Sequence, residues 1–298
     1  MPSASVGTLV RQRLAELRDA LRAAEAAARN GEESGVHDLR VAMRRLRSLL
    51  GTFRPVFDRS VTEPVRTELE HALRELGQSR DAEVAVETVD RLLDDAGLDG
   101  LAGLDGLDEA VVGLRARLHL DASATGDDVV ETLGSTRWAA LVILVEELVS
   151  HPPLTDRAQR DARSVARKRI RHEGRRVSDR VVAARGAAGP DELAARLHEV
   201  RTATRRLRYA TETAAPLADK RIHRIGTRAK AVQSTTGLHH DAVITRATLR
   251  HLALDEAVGE GAAFLLGHLD ADEQRVLTSL EKEAWAAIEE LEEQLRRL

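Results

Sequence analysis

Twenty-two residues of this chain occur twice. Aligning VHDLRVAMRRLRSLLGTFRPVF (36–57) with LHEVRTATRRLRYATETAAPLA (197–218) gives 9 identities, seven of them within the eleven residues 37–47. A second echo follows at a similar distance, LGQSRDAEV (76–84) against TGLHHDAVI (236–244), sharing the Gly and the Asp-Ala pair. A repeat on this scale limits the chain to architectures built from two similar units. Apolar residues recur with a period near 3.6 almost throughout, and no segment alternates with period two. The expected fold is therefore all-α: two four-helix-bundle-like halves related by an internal pseudo-two-fold duplication. His151-Pro152-Pro153 separates a first half, 1–150, with its motif helix at 34–52, from a second, 154–298, with its motif helix at 191–214. Further helices are expected near 5–29, 61–76, 80–95, 108–120, 127–149, 156–185, 219–235, 239–254 and 259–296. The Gly-rich 96–107 reads as a loop.

Composition supports packed helices. Hydrophobic residues make up 43% of the 298, but only 2% are aromatic. The absence of Cys excludes disulfides, thiolate metal sites and Cys nucleophiles. The net charge of −4 denies a whole-chain basic footprint for nucleic acid, so any anion site must come from segregated charge. No signal-peptide-length apolar core opens the sequence. Its longest apolar run, 138–145, is too short to span a bilayer, and a cytoplasmic protein without membrane partners is expected.

Charge is segregated on the repeated helix. At about 100° per residue, His37, Arg40, Arg44 and Arg47 share an arc of about 80° beside a separate stripe of Leu39, Met43, Leu46 and Leu50. His198, Arg201, Arg205 and Arg208 reproduce the ladder, with Leu197, Val200, Thr204 and Leu207 as its core face. Like charges three and four residues apart repel, so such a ladder costs the helix stability and calls for a compensating anion. Each guanidinium offers a planar fork to phosphate oxygens, and ten residues rise about 15 Å, enough to meet several successive phosphates. Residues 157–185 add 11 Lys or Arg against three acids, with Arg160, Arg163, Arg167, Arg171 and Arg175 in a drifting stripe. In a single Arg-rich helix these groups ordinarily pair with acids on neighbouring helices. Two copies with matching rungs favour an anion site.

The doubled His-x-x-Arg-x-x-x-Arg-Arg-x-Arg pattern, with the Gly and Asp stretches downstream, resembles the CHAD family over essentially the whole chain; Thr236 departs from the family's usual Leu. The resemblance implies one stand-alone domain of two helical bundles around a central basic pore or groove, without a triphosphate-tunnel domain. It implies binding of inorganic polyphosphate and targeting to polyphosphate granules and their proteins, with no catalysis and no cofactor. The polyphosphate-binding residues it implies are His37, Arg40, Arg44, Arg45 and Arg47 with His198, Arg201, Arg205, Arg206 and Arg208. Secondary candidates are Arg163, Arg167 and Arg171 on the 156–185 helix and Lys220, Arg224 and Lys230 after the second motif.

Two other functions compete. Nucleic acid also presents phosphates, but the shortage of aromatic residues for base stacking argues against it. Phosphoryl transfer through His37 or His198, or polyphosphate hydrolysis, lacks a P-loop, a metal-binding carboxylate cluster or a nucleophile motif. The His239-His240-Asp241 run reads as helix surface or turn rather than a metal site, because adjacent side chains diverge on a helix. Asp81 and Asp241 read as helix-start or pairing groups. Trp138, Tyr209 and Trp285 read as core.

Overall fold

The computed structural model describes the backbone of residues 5–32, 34–95, 107–255 and 258–298, and their side chains except at 78–87, 95, 107, 108 and 117–128. Among the described residues the chain is helical and carries no strand. The order is α1 (Val6–Arg29), α2 (Gly35–Thr52), α3 (Arg59–Asp95), α4 (Leu107–Gly134), α5 (Thr136–Ser150), α6 (Ala162–Arg185), α7 (Pro190–Thr213), α8 (Lys220–Ala253) and α9 (Glu260–Arg296). The motif helices are α2 and α7. Most of the expected 96–107 loop lies outside the described residues, as do the side chains of Arg80 and Asp81.

Helix starts follow ordinary capping chemistry. The Ser5 side chain accepts from the Thr8 amide, Ser135 from Trp138, Asp161 from Ser164, and Asp219 from Arg221 and Ile222. After α1 the chain turns at Gly31, whose φ of 71° lies in the left-handed region that glycine enters without steric cost.

Four expected boundaries move. The segments 61–76 and 80–95 form one helix, α3, and 219–235 and 239–254 form one helix, α8. Gly77 and Gly237 lie inside these helices rather than between them; their role is described below. The expected break near 121–126 falls instead at Ser135, where the Ser cap on Trp138 starts α5 anew. The 156–185 helix begins only at Ala162, after a short 3-10 turn at Asp156–Gln159.

Packing follows one scheme in both series. α1 packs on α2, α2 on α3 and α3 on α4; α6 packs on α7, α7 on α8 and α8 on α9. Across the molecule α1 touches α6, α2 touches α7, α3 touches α8 and α4 touches α9. Each helix of the first series thus meets the helix at the same place in the second. One apolar core gathers Leu14, Leu39, Met43, Leu46, Phe53 and Leu69 around α2. Another gathers Ile170, Leu197, Val200, Leu207, Ile225 and Ile288 around α7. A third cluster of α3, α4, α8 and α9, with Val89, Leu114, Leu249 and Leu265, joins the two.

The segment between the halves is tied down by main-chain bonds. Val6 N–H donates to Arg160 at 2.9 Å, Asp58 N–H to Pro153 at 2.7 Å and Thr155 N–H to Val56 at 2.9 Å. The Thr155 hydroxyl adds a bond to the Pro55 carbonyl at 3.0 Å.

Candidate anion-binding site

The core stripes of α2 and α7 are buried as their periodicity requires, with Leu39, Met43, Leu46 and Leu50 on one helix and Leu197, Val200, Thr204 and Leu207 on the other. Burial of these stripes rotates the adjoining arginines toward the contact between the two helices. A groove of about 180 Å³ lies there. It is lined by Arg44, Arg47, Ser48 and Gly51 of α2 and by Thr202, Arg205, Arg206 and Tyr209 of α7. Arg54, from the turn after α2, and Arg66 and Leu73 of α3 close one side; Glu173 and Arg176 of α6 close the other. Both motif copies therefore contribute to one cavity. Glu173 is the only acid among these lining residues.

The arginines differ in how they are satisfied. Arg47 pairs with Glu70 at 2.6 Å, and Arg54 and Arg66 both reach Glu63 at 2.8 Å. Among the described residues Arg44, Arg201, Arg205 and Arg206 have no carboxylate within 4.0 Å. Burial, then Arg205 and Arg40, push the Arg44 guanidinium down to about 10. Burial also lowers Arg205 and Arg206; Arg201 is among the charges that add to the first shift and Arg176 to the second. These groups stay cationic at neutral pH, and their depressed values express burial first and repulsion among the arginines second, both of which a bound anion would offset.

Arg40 and Arg201 lie further along the ladder, each against a glycine. A Cβ at Gly77 would sit 3.5 Å from an Arg40 Nη, and one at Gly237 would sit 3.2 Å from an Arg201 Nη. The second sequence echo is thus explained. The repeated glycines let the third helix of each series pass close to the first arginine of the ladder.

Arg45 and Arg208 are placed differently. Arg45 Nε is 3.2 Å from Glu212, and Arg208 Nε is 2.8 Å from the same carboxylate while its Nη1 donates to Gln233 at 3.1 Å. Both guanidinium groups flank the Tyr209 ring, at 5.8 and 6.0 Å from its centroid. His37 and His198 are exposed. The His198 ring lies 4.3 Å from that of His240, and desolvation, then His240, then Arg201 and Arg205 hold its pKa below the usual imidazole value.

The secondary candidates separate. Arg163, Arg167 and Arg171 do not line the groove: Arg167 pairs with Asp219 at 2.5 Å, and Arg171 donates to the Leu298 carbonyl at 3.1 Å. The helix winds this stripe onto the flank of α6 opposite Glu173 and Arg176. On α8, Gln233 bonds α7 and Gly237 admits Arg201, so the neighbouring arc faces α7. Lys230 falls on that arc and is exposed. Lys220 and Arg224, also exposed, lie roughly 100° or more away from it.

Sequence reasoning missed Arg54, Arg66, Arg176 and Glu173. One signal was available: Glu173 is one of two acids amid nine basic residues of α6. Tyr209 is buried as expected, but it also lines the groove. Trp138 is buried, with Nε1 donating to Glu25 at 2.8 Å, and Trp285 packs against the second core. His239 is neither helix surface nor turn. It is buried inside α8 with Nε2 3.7 Å from Glu281 of α9, because α9 covers that face. Among the described residues no three His, Cys, Asp or Glu are placed to hold a metal ion, and no helix is long and apolar enough to cross a membrane. A larger hollow of about 350 Å³ between α3 and α5 is lined by Glu68, His71, Glu75 and Glu131, and its Arg137 is taken up by Glu68 at 2.7 Å. Its charge is wrong for an anion.

Comparison with known proteins agrees with this architecture. PptA from Streptomyces chartreusis superimposes with a TM-score of 0.74 at 24% identity, over 95% of this chain and 99% of that one. The CHAD domain from the plant Ricinus communis superimposes with a TM-score of 0.71 at 24% identity, over 96% of this chain and 92% of that one. An uncharacterized protein of Mycobacterium tuberculosis (strain CDC 1551 / Oshkosh) is 28% identical over 265 residues, 88% of this chain and 49% of that protein. The chain spans about half the length of the curated relatives it matches. The family model for the CHAD domain matches residues 12–250, and the chain belongs to that family.

Proposed function

We propose that the groove between α2 and α7 binds inorganic polyphosphate, a linear polyanion with evenly spaced charge, and performs no chemistry on it. One observation carries this reading. Arg44, Arg205 and Arg206, drawn from both motif copies, share one cavity and have no carboxylate partner within 4.0 Å among the described residues. Such a site is unfavourable when empty and becomes favourable when phosphate oxygens supply the missing charge. Arg40 and Arg201 extend it beyond the cavity, so successive phosphates of one chain meet successive rungs. The lining offers charge and hydrogen-bond donors but neither paired carboxylates nor a base beside a nucleophile, which favours binding over turnover. Recruitment to polyphosphate granules follows if the bound chain is part of one.

Titration with long-chain sodium polyphosphate over a range of salt tests the proposal. Affinity should fall linearly in log-log form, with a slope near −0.7 per phosphate neutralised. Replacing Arg44 and Arg205 together by Ala should cost about 100-fold, because charged hydrogen bonds contribute about 1.5–3 kcal/mol each. Affinity unchanged by salt or by the double substitution would overturn the reading. Competition with DNA and RNA at equal phosphate concentration tests the choice of polyanion, and displacement of polyphosphate would transfer the site to nucleic acid. Release of orthophosphate on incubation with divalent metal would overturn the non-enzymatic part.

A further inference from the structure

α6 carries basic residues on two flanks, and only one faces the groove. Taking Ile170, fully buried, as the inward direction, Glu173 and Arg176 project at about 300° and 240°. Arg167, Arg171 and Arg175 project at about 60°, 100° and 140°, on the opposite side of the same helix. This outer flank starts at Arg163, and Arg163 to Arg175 span about 18 Å.

The outer flank is concave and short of counter-charge. Arg171 and Arg175, with Arg296 of α9, line a hollow of about 310 Å³, and Arg163 and Arg167 line a smaller one next to it. The side-chain acids at these hollows are Asp219 and Glu292, and the Leu298 main-chain oxygen just beyond α9 accepts from Arg171 at 3.1 Å. Asp219 is held by Arg167 at 2.5 Å and Glu292 by Arg185 at 2.7 Å. Among the described residues Arg163, Lys168, Arg171 and Arg175 have no side-chain carboxylate within 4.0 Å. All four are exposed. An ordinary solvated helix face alternates charge sign; this one carries cations in a row above a hollow.

We propose that the outer flank of α6 is a second, independent polyphosphate-binding surface, so that one molecule engages two segments of polyanion on opposite sides of α6. The inference rests on the groove reading for its choice of ligand. Two faces on one rigid helix cannot grip the same short segment. They bind two short chains, or they connect two long ones. The protein is then a cross-linker, and avidity follows from the second face rather than from a stronger first one.

The test compares the intact protein with a flank variant, R163Q/R171Q/R175Q, and a groove variant, R44A/R205A, each checked for unchanged helicity and melting. Calorimetric titration with short-chain sodium polyphosphate should give two chains per molecule for the intact protein and one for each variant. The flank step should have a salt slope of about −2, from three contacts at about −0.7 each. Mixing with long-chain polyphosphate should produce light scattering that passes through a maximum as the ratio is varied. The flank variant should lose the scattering and keep the groove step, and R163K/R171K/R175K should restore the scattering. One chain per intact molecule, or scattering unchanged in the flank variant, overturns the second surface. If R44A/R205A removes no step while R163Q/R171Q/R175Q removes one, the groove reading fails and the flank stands.

Discussion

Arg45 of α2 and Arg206 of α7 occupy the same place in the two motif helices but have different partners. Arg45 reaches across to Glu212 of α7, whereas Arg206 lines the groove with Gly51 of α2, has no carboxylate within 4.0 Å among the described residues, and shares that lining with a single acid, Glu173 of α6. Gly51 and Glu212 are themselves counterparts in the aligned repeats. One position thus decides which end of the α2–α7 contact is neutralised and which is left electropositive. The Gly side opens onto Arg66, Arg176 and Arg206; the Glu side gathers Arg13, Arg45 and Arg208 onto one carboxylate. Similar helices make an asymmetric site because counter-charge was placed on only one of them.

Making the two ends alike tests this comparison, and the largest effect is expected from Gly51→Glu. It puts a carboxylate into the groove beside the Arg66 guanidinium, 3.4 Å from a Cβ at that position, and polyphosphate affinity should fall about tenfold or more, equivalent to about 1.4 kcal/mol. Unchanged affinity would mean the Gly51 end is not where the anion lies. The reverse change, Glu212→Gln, releases Arg45 and Arg208 and should tighten binding by about threefold. Because both ion pairs are partly exposed, the melt should show a stability loss of no more than about 1 kcal/mol. Weaker binding would show that Glu212 orients arginines for the ligand instead of occupying them.

A smaller effect concerns pH. His198 titrates below its unfolded value, so the unfolded chain takes up the proton first as pH falls. The stability it contributes is present above about 6.5, the ordinary imidazole value, and is lost as pH falls through the folded value. A bound polyanion offsets the arginines and favours the imidazolium, so binding takes up a proton. Between about pH 7.5 and 6, free-protein stability should decline slightly while affinity rises about twofold, and His198→Gln should flatten both curves. An affinity that falls as the pH is lowered would contradict the placement of His198 beside the ligand. The smallest difference separates the two ladder glycines. Gly77→Ala meets Arg40 at ordinary contact distance and should stabilise α3 by up to about 1 kcal/mol. Gly237→Ala meets Arg201 more tightly, so it should gain less and weaken binding about twofold. Equal effects in denaturant melts and titrations would remove that distinction.

The ladders were legible because helical period alone sets which side chains share a face. Arg44 and Arg205 needed only the spacing of their apolar neighbours to be put beside a buried stripe. The helix-helix apposition was not legible, and it decided everything else. Whether Arg45 or Arg206 is neutralised depends on what lies across the α2–α7 contact. Whether Arg171 or Arg176 reaches the groove depends on which flank of α6 faces inward, and both flanks are basic. Gly77 and Gly237 read as breaks because glycine weakens helices; close approach of a guanidinium outweighs that here. Arg66 carried no sequence signal at all, since it lies well beyond the Pro55 turn and enters the site only through the packing of α3 on α2.

The bonds that tie Pro153, Thr155 and Arg160 to the ends of α1 and α2 have a mechanical consequence. A groove between two halves joined by a loose tether would work as tweezers, opening to admit a guest and closing on it. Here the segment leading into α6 is bonded to the first half at Val6, Val56 and Asp58, and the α1–α6, α2–α7, α3–α8 and α4–α9 contacts hold the second half against it, so the groove has a width set by packing and not by a hinge. Under the proposed function, an unbranched phosphate chain would meet arginines already held at their spacing before it arrives.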